Sequence, residues 1–330
     1  MEQWGEPVKE HDLYVERISR REAVTRLSST ALVAGAMGAG ALVFHDRRTV
    51  DAAAPPIPDW RTRPVTPELA GAAARGADPA ANVRRALAAL GGMGAFVKRG
   101  ESVLIKPNVG WDRLPDQAAN TDPAVVAELV RQCLAAGATR VVVTDNTCND
   151  GRRCFARSGI ADAAKAAGAE VFPANDGRFV PAALTGLASG LEVHEELLRV
   201  DRVINVPVAK HHGLSRATLG MKNWMGVLGR GRNRLHQDID RAAAELGALF
   251  RPTLTVVDAT RVLLANGPQG GSLGDVKKVD AVAAGLDPVA LEAWGATQMG
   301  LDPRALGFIL EAERRGLGRA DAKLVKELGG

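Results

Sequence analysis

Short continuous runs of β-branched and aliphatic residues alternate with helical stretches along most of the chain, and this alternation restricts the fold more than any other feature. SVLIKPN, RVVVTDNT, AEVFPAND, RVINVPVA, TLTVVDAT and VDAVAAG each read as a strand. Runs of this kind are buried on both faces, which calls for a mostly parallel sheet with helices on either side. Residues 79–90 are rich in Ala and Leu and predict a helix, as do the stretches from about Ile160 to Ala167 and from about Gln237 to Leu249. Asp122-Pro123, Asp287-Pro288 and Asp302-Pro303 each join a side-chain cap to a proline in the first helical turn, so helices are expected to open there. The fold class is therefore α/β, a three-layer arrangement with helices on both faces. The irregular segment from Leu184 to Leu198 is expected to be a small inserted subdomain.

The first 54 residues are expected to lie outside this fold. Ser19, Arg20 and Arg21 precede an uncharged run from Leu27 to Phe44, followed by Ala52 to Ala54. This layout resembles a twin-arginine export signal, whose partner is the twin-arginine translocase, with retention of the segment as a membrane anchor as the alternative. Residues 55–77 are rich in Pro and small residues and read as a linker, leaving 78–330 as a single α/β domain.

In an open α/β sheet, ligands bind beyond the carboxyl ends of the strands. Those ends carry Lys106 and Asn108, then Asp145 and Asn146, then Lys210 with His211 and His212, then Asp258 with Arg261. The stretch from Arg202 to Gln237 contains seven Lys and Arg residues and no Asp or Glu, and it adds Lys222, Asn223 and His236 to the candidates. The residue types suggest that Lys106, Asn108, Asp145, Asn146, Lys222, Asn223, Asp258 and Arg261 bind a ligand while Lys210, His212 and His236 carry chemistry. Adjacent histidines on an extended chain face opposite ways, so at most one of His211 and His212 enters a common site. A metal ion held by His211, His212 and His236 is the cofactor these residues suggest.

Composition narrows the partner. The net charge is only +4 over 330 residues, so the clustered lysines point to a small anionic ligand. GRGRNR would suit nucleic acid in a cytoplasmic protein, but an export signal argues against that partner. Cys133, Cys148 and Cys154 are too few and too widely spaced for a zinc ribbon or an iron-sulfur cluster; Cys148 and Cys154 read as free thiols, a disulfide being the alternative. No glycine-rich stretch has the setting of a phosphate or dinucleotide motif.

VLIKPN, TDPAVV, RVINVPVAKHHGLSRATLGMKNWMG, the separate His236 and VVDATRVLLANGPQGG together resemble the uncharacterised family numbered 362 among domains of unknown function, from about Ser102 to Gly316. The resemblance implies that Lys106, Asn108, Lys210, His212, Lys222, Asn223 and His236 share one site. Several family members bear a ferredoxin-like module that this chain lacks, which implies a link to redox metabolism through a separate iron-sulfur protein. The functional expectation is an exported enzyme acting on a small anion or cofactor. A non-catalytic anion-binding or assembly module and a metal-assisted hydroxy-acid isomerase are the alternatives.

Overall fold

The computed structural model describes residues 54–62 and 69–329. The signal-like segment lies outside them, apart from Ala54. The first half of the chain supplies β1 (Gly71–Arg75), α1 (Pro79–Ala89), β2 (Ser102–Pro107), α2 (Pro123–Ala135), β3 (Arg140–Val143), α3 (Gly151–Arg157), α4 (Ile160–Ala166) and β4 (Glu170–Val171). There follow β5 (Phe179–Pro181), β6 (Glu192–His194), β7 (Arg202–Val206), β8 (Val208–His212), β9 (Arg216–Thr218) and the single turn α5 (Gly220–Asn223). The chain closes with α6 (Ile239–Leu249), β10 (Leu254–Leu263), β11 (Val276–Gly285), α7 (Pro288–Gln298), α8 (Gly307–Arg314) and β12 (Val325–Glu327).

Among these, ten strands form one sheet in the order β12-β1-β11-β10-β7-β2-β3-β4, with β8 and β9 branching from β10. The run from β10 through β7, β2 and β3 to β4 is parallel, whereas β11 lies antiparallel to both β10 and β1. Alternate residues of each parallel strand enter different cores, as the period of a strand requires. Val103, Ile105, Val141, Val143, Ile204 and Val206 pack beneath α1, α2 and α4. Leu104, Val142 and Val203 pack on the other face against residues 182–200 and Trp224, while α7 and α8 cover the antiparallel half. The result is the three-layer α/β architecture that the strand runs predicted. The irregular segment from Leu184 to Leu198 contains β6, which pairs with β5 just before that segment in a separate two-stranded antiparallel sheet.

Four expectations need correction. The stretch read as a linker contains β1, an inner strand between β12 and β11, and Trp60, which is buried. Its sequence GAAAR lacks the β-branched residues that mark strands, and at Gly71 the approach of β11 leaves no room for a side chain. A Cβ on Gly285 would lie 2.4 Å from Ala70 O, and one on Gly71 would lie 2.8 Å from Ala284 O. RVINVPVA is two strands rather than one: Pro207 has no N–H for the ladder, and beyond it β8 turns to pair with β10 and β9. AEVFPAND pairs over only two residues before Pro173. Asp302-Pro303 opens only a 3₁₀ turn, because the extended Leu306 interrupts it before α8.

Ala73 is fully buried in β1 opposite Ala283 of β11. Ala73→Asp is expected to lower unfolding free energy by about 3 kcal/mol or more, the cost of an uncompensated buried charge. Urea denaturation of the full chain checks this; an unchanged midpoint would return the segment to the status of a linker.

Candidate functional site

The chain runs from β2 to β3 and β4 on one side and returns to β7 on the other side of β2. A reversal of this kind opens a crevice at the carboxyl ends of the flanking strands. Here a cavity of about 340 Å³ opens at that edge, lined by Lys106, Asn108, Asp145, Asn146, Lys210, His212, Lys222, Asn223 and His236 together with Cys148, Trp111, Met225 and Arg232. Nine of the residues singled out in the sequence are thus brought to one space.

Lys106 lies on the same strand face as Leu104, and its ammonium is fully buried. Nζ donates to Asn223 Oδ1 at 2.8 Å and to Pro107 O at 3.0 Å. It also lies 2.9 Å from Asp145 Oδ1, an ion pair whose angle leaves that oxygen without an aligned donor. The other carboxylate oxygen, Asp145 Oδ2, accepts from Val109 N at 2.7 Å. Two hydrogen-bond acceptors and one carboxylate therefore surround this ammonium. Burial pulls the Lys106 pKa below the usual lysine range, opposed by Asp145.

Asn223 ties the edge together. Its Oδ1 also accepts from Asn108 Nδ2 at 3.0 Å, and its Nδ2 donates to Asn205 Oδ1 at 2.8 Å. Lys210 Nζ donates to Asn108 Oδ1 at 2.9 Å and to Ala119 O, which leaves one position on that nitrogen unfilled. Burial, with nearby Lys222 and Lys106, lowers its pKa to about 7. Lys222 differs from both: its one hydrogen-bond partner among the described residues is Met225 Sδ at 3.8 Å. Burial lowers its pKa to about 8, with Arg232 and Lys106 adding to the effect. Three lysines and an arginine thus face a single carboxylate, Asp145, in the lining.

The histidine tautomers follow from backbone groups. His212 Nδ1 accepts from Leu214 N at 3.2 Å and Ser215 N at 3.3 Å, so Nε2 carries the proton and the ring is a neutral donor. Burial first, then Lys222 and His236, pushes its pKa down to about 3. His236 stacks on it with centroids 6.0 Å apart, and its Nδ1 donates to Asn233 O at 3.2 Å, leaving Nε2 as an acceptor. His211 is turned out of the cavity, its Nδ1 accepting from Gly267 N at 3.0 Å.

This geometry does not fit a metal held by His211, His212 and His236. The first two must keep their protons on Nε2, the nitrogen a metal would need, and Asp145 is already engaged. Among the described residues, no group of three or more His, Cys, Asp and Glu side chains is arranged to hold a metal ion.

Asp258 and Arg261 do not line the cavity. Asp258 Oδ2 accepts from Asp122 N at 2.7 Å, and Arg261 pairs with Asp122 at 2.8 Å and Asp116 at 3.1 Å. They fasten the loop that supplies Ala119 O to Lys210. Burial raises the Asp258 pKa, with Asp122 adding to the effect. Asp122 also caps α2 through Ala124 N, as its place before Pro123 predicted. Asn146 lines the cavity while fixing its wall: Nδ2 donates to Leu228 O at 2.7 Å.

The family model described as "Domain of unknown function (DUF362)" matches residues 103–297. The chain belongs to this family. The Thylakoid-associated protein sll1697 of Synechocystis sp. is 29% identical over 252 residues, covering 74% of this chain and 77% of that protein. A crystal structure of a Thermotoga maritima protein is 13% identical, with a TM-score of 0.33, over 59% of this chain and 54% of that one, a likeness too slight to bear on the fold. The DUF362 segment contains every cavity residue named above.

That segment also contains residues the sequence reading missed. Cys148 is an exposed thiol in the lining, whereas Cys154 is buried, and the two are not bonded. Arg232 donates to Asn146 O, Met225 O and Thr147 O and so clamps two wall segments. Trp111 lines the cavity, whereas Trp224 packs in the core against Phe250. Glu292 of α7 is fully buried behind α5, and its Oε1 accepts from Met221 N at 2.5 Å. Burial pushes its carboxyl up from 4.5 to about 8.

Because Glu292 has a raised folded-state pKa, its contribution to stability is fully present below about 4.5 and lost as pH rises through about 8. Glu292→Gln keeps the acceptor for Met221 N and removes the titration. Urea midpoints measured across that range should fall with rising pH in the wild type and fall less in the variant; parallel profiles would show that Glu292 ionises freely.

Proposed function

We propose that this protein binds a small anionic molecule in the cavity at the carboxyl edge of its sheet and acts on it by proton transfer. The observation that carries this reading is Lys222, a buried ammonium that among the described residues makes no hydrogen bond to oxygen and no ion pair, beside Lys210 and Arg232. A buried charge left unpaired is costly, and a bound anion offsets that cost. Asn108 would orient the ligand, and the neutral His212 Nε2–H would donate to an oxygen of it. Lys210, with one open position and a pKa near neutrality, suits a proton carrier, and His236 Nε2 suits an acceptor.

Support for location comes from two sides. The Arg20-Arg21 segment resembles an export signal, and the Synechocystis relative is described as thylakoid-associated. Both fit an extracytoplasmic site of action near a membrane. No helix among the described residues is long and apolar enough to cross a bilayer. A link to redox metabolism through a separate iron-sulfur protein rests on the family resemblance. The isomerase alternative, which needed two adjacent histidines acting together, loses its support because His211 faces away.

Sulfate stays doubly charged near neutrality and serves as the probe. Calorimetric titration of the full chain should show binding that weakens as pH rises through about 7 to 8, where Lys210 and Lys222 lose their protons among Lys106, Asp145, Cys148, His212, Arg232 and His236. The sign follows because the anion favours the protonated amines. Lys222→Met should weaken sulfate binding about tenfold or more, the worth of one charge-assisted contact. Affinity indifferent to both pH and this substitution would remove the anion-binding reading.

A further inference from the structure

Each buried lysine of the cavity has a different set of partners, and the difference bears on chemistry as well as charge. Lys106 is fully engaged and Lys210 is held by two acceptors, whereas the side chain of Lys222 bonds only to the Met225 sulfur among the described residues while its backbone is fixed. Met221 N before it is bound by Glu292, and Asn223 after it is bound to Lys106, Asn108 and Asn205. An ammonium kept only as a structural charge is best surrounded by acceptors, as Lys106 is. An amine kept as a nucleophile needs its lone pair clear of acceptors and of any carboxylate that would retain its proton.

We propose that Lys222 condenses with the carbonyl group of a small 2-oxo acid to form a Schiff base, the carboxylate of that acid being held by Lys210. This rests on the reading of the cavity as an anion site and names the class of anion. Desolvation and neighbouring cations are the two means by which proteins activate a lysine amine, and both act on Lys222. Its one hydrogen-bond partner among the described residues, the thioether sulfur of Met225, is a weak acceptor that competes little for the proton.

The step balances without oxidant or reductant. The Lys222 Nζ lone pair forms a bond to the carbonyl carbon, and the C=O π pair moves to oxygen, while Lys210 keeps its proton and holds the carboxylate. His236 Nε2 takes one proton from the attacking nitrogen and passes it to that oxygen, which gives the carbinolamine. His236 then takes the remaining N–H proton and passes it to the hydroxyl, which leaves as water while the nitrogen lone pair closes the C=N bond. One water is released for each imine formed.

Reductive trapping tests this. The full chain is incubated with pyruvate and sodium cyanoborohydride, and the modified lysine is mapped by peptide mass spectrometry, with sulfate titrated in parallel. The expected result is a stoichiometric adduct on Lys222 that excess sulfate suppresses. Lys222→Arg, which cannot form an imine, should lose that adduct. Sulfate binding without a selective adduct on Lys222, or an adduct on Lys210 instead, would overturn the Schiff base while leaving the anion site standing. If sulfate fails to bind and no adduct forms, both readings fall together.

Discussion

The contact between Lys106 and Asp145 is the constraint around which the rest of the site is arranged. The two residues end neighbouring parallel strands, β2 and the stretch after β3, and at that depth neither charge is tolerable alone. Their pairing answers the charge of the ammonium, and its two hydrogen-bond acceptors are Pro107 O and Asn223 Oδ1. Asn223 can reach only because the segment after β9 folds down over the sheet edge. That segment passes so close that a Cβ on Gly226 would lie 1.9 Å from Asp145 Oδ1 and 2.6 Å from Lys106 Nζ. The glycine is thus a spatial requirement of the ion pair, and the pair is what draws Lys222 and Asn223 to the crevice.

Three lysines in one cavity illustrate how partner count, rather than residue type, assigns a role. Lys106 is locked by two acceptors and an ion pair and serves structure. Lys210, with two, has a fixed position and one open valence, the condition for handing a proton to a ligand without moving. Lys222, with none but a thioether, leaves its charge or its lone pair to whatever enters. The same logic separates the histidines: backbone N–H groups occupy Nδ1 of His212, whereas a backbone carbonyl occupies Nδ1 of His236. Two stacked imidazoles therefore present opposite hydrogen-bonding character at Nε2.

Much of this was legible in the sequence, and the failures have identifiable causes. Continuous Val and Ile runs marked the parallel strands because burial on both faces leaves no polar alternation. GAAAR gave no such signal, since it holds no β-branched residue and opens on a glycine that the approach of β11 requires. Polar residues at strand ends located Lys106, Asn108, Asp145 and Lys210, because the carboxyl edge of a parallel half-sheet gathers them. The rule overreached at Asp258 and Arg261, where β10 continues past the crevice to Leu263 and pairs antiparallel with β11. Glu292 left no trace because it sits mid-helix, and only the tertiary fold reveals a carboxyl pressed behind α5. Histidine tautomers were equally hidden, being fixed by backbone groups two or three residues away.

The antiparallel half of the sheet then has a function beyond closing the fold. It carries α7, and α7 brings Glu292 to the start of the turn that bears Lys222 and Asn223. A carboxyl at that place caps the Met221 N–H whether ionised or not, but only the protonated form leaves the positive field of the cavity undiminished. Burial on α7 supplies that condition, since it raises the carboxyl toward neutrality while the hydrogen bond is kept. An exposed acid at the same point would hold the turn equally well and would place a negative charge one residue from the amine, working against the anion the lysines await. The depth of Glu292 and the emptiness around Lys222 are thus two sides of one electrostatic arrangement: the scaffold fixes the turn with a neutral acid so that the cavity can keep its charge for a ligand.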